Sequence, residues 1–69
     1  MKGVKLIMEA YLIDQLRKEA MDFYRALIEG RPIGKARKRI QRLIRRMITI
    51  GISKSVIDDI LSDAALKVC

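Results

Sequence analysis

The sequence predicts an all-α fold: a compact three-helix domain with a long first helix, a short antiparallel helix–helix connection, and assembly as a homodimer. Three observations carry this. Apolar and charged residues recur at spacings of three and four along most of the 69 residues, which lines faces of helices rather than of strands. Gly30 with Pro32, and later Gly51, interrupt the pattern at two places, where helices end and turns begin. Half of the residues are apolar, at 51%, which is too many for a disordered chain despite its charge. The three segments are therefore expected to pack as one domain over residues 1–69, with helices at about 4–29, 32–50 and 54–67.

In the first helix Asp14, Lys18, Asp22, Arg25 and Glu29 fall four, four, three and four apart, a single stripe of mostly alternating sign that faces solvent. Opposite it stand Leu6, Ala10, Ile13, Leu16, Ala20, Phe23, Tyr24 and Leu27, the expected buried face. Gly30 can adopt the left-handed conformation that ends the helix, and Pro32 cannot continue it.

The second helix separates its two kinds of residue sharply. Ile33, Ala36, Ile40, Leu43, Ile44, Met47 and Ile48 make the apolar arc, with Lys35, Lys38, Arg39, Arg42, Arg45 and Arg46 on the opposite arc. Arg37 lies toward the boundary, where its stem can pack while its head reaches water. Gly51 ends the helix, and Ile52 is placed to fold back on Met47. The third helix starts near Ser53 or Ser55. Ser55 with Asp58 resembles a capping box in which Asp replaces the usual Glu or Gln. Val56, Ile57, Ile60, Leu61, Ala64, Ala65 and Val68 form its inner face.

A connection as short as Gly30–Pro32 lays the first two helices side by side and antiparallel. Counting back along the pair puts Ile50 near Tyr11 and leaves Val4, Leu6, Ile7 and Met8 beyond the end of the second helix. Those residues and Tyr11 are the expected dimer interface, because a chain this small buries only about 60% of its unfolded surface and an uncovered apolar patch needs a cover. A short strand over Val4–Met8 is the local alternative.

Charge then narrows the function. No carboxylate occurs between Gly30 and Ile57, yet nine bases do; the other six bases and eight acids sum to −2, so the segment carries more than the whole net charge of +7. Such a face needs an anionic counterpart or abundant water. Several of these bases, Lys35, Arg37 and Lys38 among them, sit at the positive end of the helix dipole, where exposed cations are disfavoured by about 0.3–1 kcal/mol each. A bound anion would relieve that, as would Glu29 and Asp22 of the neighbouring helix.

Gly51 with Ile52, Ile57 and Ile60 resembles the turn of a helix-turn-helix motif over about twenty residues, with Met47 where that motif carries a small residue. The resemblance would make the third helix the recognition element, but Asp58, Asp59 and Asp63 there would face like-charged phosphates. The second helix is the better contact.

The sequence therefore points to a small basic regulator that binds nucleic acid, DNA ahead of RNA, through phosphate contacts from Lys35, Lys38, Arg39, Arg42, Arg45 and Arg46. The competing class is an interaction protein that turns the same helix toward an acidic partner. Catalysis has no foothold: the chain contains no His, its one thiol is Cys69, and it holds no phosphate loop or metal-ligand cluster, so no metal and no cofactor are expected. Asp59 and Asp63, one turn apart, read as a solvated face. With no disulfide pair and no run of about 18 apolar residues, the expected setting is cytoplasmic rather than membrane-bound.

Overall fold

The computed structural model describes the backbone of residues 2–68 and the side chains of residues 7–68. The chain forms α1 (Lys2–Glu29), α2 (Gly34–Thr49) and α3 (Lys54–Val68). Among the described residues there is no strand, and residues 4–8, which also suited a strand, belong to α1. At a rise of 1.5 Å per residue the 28 residues of α1 span about 42 Å. That single helix accounts for the 43 Å long axis of the molecule.

Both turns are closed by one backbone device. Gly30 and Gly51 have φ of 72° and 94°, the left-handed region that costs glycine nothing. The N–H of Arg31 donates to the carbonyl of Ala26 at 2.8 Å and that of Gly30 to Leu27 at 3.4 Å. The N–H of Ile52 donates to Met47 at 2.9 Å and that of Gly51 to Ile48 at 3.1 Å. Each pair is the double closure of a Schellman motif. Ile52 also packs on the cluster that contains Met47, the apolar contact expected from the sequence.

The start of α2 differs from expectation, and that of α3 falls on the first of the two serines the sequence offered. Pro32 lies in the turn rather than in α2, whose N-cap, Ile33, offers no side-chain hydrogen bond. α3 is capped by Ser53, whose Oγ accepts the N–H of Val56 at 3.4 Å. The serine favoured for a capping box, Ser55, is instead inside the helix. A cap must precede the first helical residue, and Gly51 releases the chain early enough for Ser53 to take that place.

α1 is the spine: α2 and α3 each pack along it and scarcely touch one another. Leu12, Leu16, Met47, Ile57 and Ile60 form the buried cluster that joins all three helices. Full burial of a side chain such as Leu16 or Met47 stabilises by about 1.5–3 kcal/mol. The predicted solvent stripe from Asp14 to Glu29 is exposed throughout. Four residues assigned to inner faces are exposed as well, and each has a local reason. Ala10 sits on the flank of α1 opposite the groove-lining side, and Leu27 lies beyond the reach of α3, which ends little more than a turn after the residue, Asp63, that meets Arg17. Ile48, 56% exposed, faces the side of α2 that α3 would cover if it packed there; Val56, 41% exposed, is in the first turn of α3. Leu12 and Ala26 are buried though the inner-face stripe passed them by, because α1 is covered along two sides and its buried band is wider than one stripe. Leu6 of the inner face, Val4 and Leu6 of the dimer patch, and Cys69 lie outside the described side chains.

Candidate functional site: the basic face of the second helix

α2 is held to α1 by Met47, which is fully buried, and by Ile40, Leu43 and Ile44, which are half-buried. Holding this arc against α1 turns the opposite arc outward. All six predicted contact residues, Lys35, Lys38, Arg39, Arg42, Arg45 and Arg46, are exposed. At 100° per residue Lys35, Lys38, Arg42 and Arg45 occupy the outer pole, while Arg39 and Arg46 lean toward α1. Lys38, Gln41, Arg42 and Arg45 surround a shallow hollow of about 200 Å³ on the outer side.

The acids of α1 reach only the edge of this array. Arg39 Nη1 lies 3.8 Å from Glu19 Oε2, and Arg31, in the turn before α2, pairs with Glu29 at 3.0 Å. Of the two acids expected to neutralise the start of α2, Glu29 is thus taken by Arg31, and Asp22 makes no ion pair among the described residues. No ion pair among them engages Lys35, Lys38, Arg42, Arg45 or Arg46 either. The first turn of α2 contains no acid, so its cations stand against the dipole without a counter-charge from their own helix. Arg37 is exposed.

Between α1 and α2 runs an open groove of about 850 Å³. Its floor is apolar, made by Met8 and Leu12 of α1 with Leu43 and Ile50 around α2. Tyr11, Gln15 and Glu19 form the α1 bank; Arg39, Arg42, Arg45 and Arg46 form the α2 bank. Tyr11 and Ile50 thus share the groove, as counting back along the two helices placed them. The groove brings together two sets of residues that the sequence kept apart, Met8 and Tyr11 of the expected dimer patch and four of the six expected contact bases. The carboxylate of Glu19 was not singled out from sequence; its Oε2 is buried without a hydrogen-bond partner.

Of the expected dimer surface, Ile7 at 72% and Met8 at 49%, expected to overhang, and Tyr11 at 60%, expected beside Ile50, are exposed. Phe23 and Tyr24 meet edge to face with ring centroids 5.5 Å apart and are half-buried, so they serve packing rather than the basic face. The helix-turn-helix resemblance extends to the glycine turn but not to the packing, since α2 and α3 each lie on α1 instead of against one another.

Among the described residues no helix is long and apolar enough to cross a membrane, and no three His, Cys, Asp or Glu side chains gather as a metal site would require. Comparison with protein families, with curated proteins and with solved structures yields no match.

Proposed function

We propose that the protein binds nucleic acid, DNA ahead of RNA, through phosphate contacts made by the outer arc of α2. One observation supports this above the rest: Lys35, Lys38, Arg42 and Arg45 project together from a helix anchored on its other side, and none of them is engaged by an acid among the described residues. Phosphate oxygens would satisfy the guanidinium and ammonium donors, and would also offset the cations that stand near the amino end of α2. Arg39 and Arg46 contact the same strand from the groove side. Contacts of this kind set position on a duplex without reading bases, so the binding is of low sequence specificity.

The expected measurement is a titration with random-sequence duplex DNA at two salt concentrations. Neutralising about five phosphates gives a slope of log affinity on log salt near −4.5. Arg42→Glu with Arg45→Glu, checked for unchanged helicity, removes the binding; unaltered affinity in that variant overturns the assignment of this face.

Self-association belongs to the same proposal. α1 and α2 run antiparallel, which is supported by Glu19 meeting Arg39 while Tyr11, further back along α1, shares the groove with Ile50, further on along α2. The exposed Ile7, Met8 and Tyr11, with Val4 and Leu6, are the surface through which two copies join in the cytoplasm. A monomer by sedimentation equilibrium at high micromolar concentration would remove the dimer. The apolar floor of the groove favours a second reading, an acidic protein partner, because phosphates have no use for Met8 and Leu43.

A further inference from the structure

The groove between α1 and α2 has a chemistry that phosphate binding leaves unexplained. Its floor is apolar, its α2 bank holds four arginines, and its α1 bank holds one acid, already turned to Arg39. We infer that this groove docks an amphipathic helix of a protein partner, with an apolar stripe on the floor and Asp or Glu residues along the flank that faces α2.

Dimensions fit that occupant. The groove extends over Met8–Glu19 on α1 and Arg39–Ile50 on α2, each about 16 Å or three helical turns. A helix lying there would place apolar residues at i, i+3 or i+4, and i+7 over Met8, Leu12 and Leu43. Charge selects the kind of helix. The arginine bank demands carboxylates on one flank, and Glu19 on the other bank repels them there. A second copy of this chain is the poorer occupant of the groove, since its α1 bank could set only one carboxylate, Glu19, already turned to Arg39, against four arginines.

Arg42 and Arg45 belong both to this bank and to the outer arc. A docked acidic helix therefore competes with nucleic acid for them, and through Met8 and Tyr11 it also displaces a second copy of the chain. This gives the protein a way to be released from a polyanion by a protein. The docking itself stands whether or not nucleic acid is bound.

The probe is a fluorescently labelled helical peptide of about four turns, with Leu on one stripe and Glu on one adjoining flank, titrated into the full chain; a second peptide has the same composition in scrambled order. The patterned peptide is expected to bind at one per chain and at least about tenfold more tightly than the scrambled one, because the floor supplies anchors that charge does not. Met8→Gln with Tyr11→Gln alters two exposed side chains and no charge. It should weaken the patterned peptide at least about tenfold, measured at chain concentrations where the unaltered protein is monomeric, because the same two residues belong to the surface proposed for self-association. Equal binding of the two peptides to the unaltered chain, or an unchanged affinity in the Met8→Gln, Tyr11→Gln variant with its helicity intact, overturns the groove as a docking site. Displacement of the peptide only by a second copy of the chain, seen as dilution-dependent binding, overturns it in favour of self-association. DNA binding without peptide binding leaves the proposed phosphate contacts standing and sinks this inference alone; peptide binding without DNA binding does the reverse.

Discussion

The two seams that α1 makes with its neighbours differ in kind. Along α3 the contact is closely covered: Ile57, Ile60 and Ala64 are buried, and Arg17 lies 3.9 Å from Asp63, which Lys67 meets at 3.3 Å, while Arg17 Nε is itself buried without a hydrogen-bond partner. Along α2 only Met47 is buried, the flanking apolar residues are half-covered, an open groove remains, and among the described residues most of the bases have no acid paired with them. Both seams use helices of nearly equal length, of 16 and 15 residues, so length does not explain the contrast. The seam with α3 closes over its apolar residues and serves the fold. The seam with α2 leaves apolar area and positive charge uncovered, and these are the two features on which the proposed binding rests.

If the contrast is right, its largest signature is in stability. Ile60→Ala, in the α3 seam, should cost about 2–5 kcal/mol, a large share of the total for a domain of this size, whereas Ile44→Ala, half-buried in α2, should cost about 1 kcal/mol. Urea unfolding followed by far-ultraviolet circular dichroism measures both, and equal losses would break the comparison. The next effect tests how firmly α2 is aimed by its turn. An added Cβ at Gly51 would meet nothing within 4 Å, so Gly51→Ala isolates the backbone cost of its positive φ, about 1–2 kcal/mol. No measurable loss in the same unfolding experiment would show that the turn does not hold α2 and α3 in place. The smallest effect concerns charge. Arg17 and Asp63 are each nearly half exposed, so Asp63→Asn should lower stability by at most about 0.5 kcal/mol. A larger drop would mean that the α3 seam depends on its ion pairs rather than on its buried isoleucines.

The residues explain how far a reading along the chain could go. The exposed stripe from Asp14 to Glu29, the closures at Gly30 and Gly51 and the fold-back of Ile52 on Met47 all depend on spacings of a few residues, which the chain displays directly. The outward arc from Lys35 to Arg46 was equally legible, because charge and hydrophobicity divide cleanly around one helix axis. Ile48 and Val56 were not, since their exposure depends on α3 lying against α1 instead of closing over α2. Leu12 was missed for the complementary reason: a helix covered from two sides buries more than the single stripe its strongest periodicity suggests. The competing starts at Ser53 and Ser55 could be separated only by the hydrogen bond that forms.

By itself, then, the amino-acid sequence determined that the chain is helical, where two of its helices stop and which arc of the second is basic. These follow from side-chain angles about one axis and from glycines at the turns, both local properties. Only the tertiary structure decided that Met8 and Tyr11 share a groove with four arginines, and that Glu19 takes up one of those arginines while, among the described residues, the other three are paired with no acid. The angle of a side chain around its own helix follows from its number, but the width of the gap to the next helix depends on how both apolar faces pack, and that is settled by the whole chain at once.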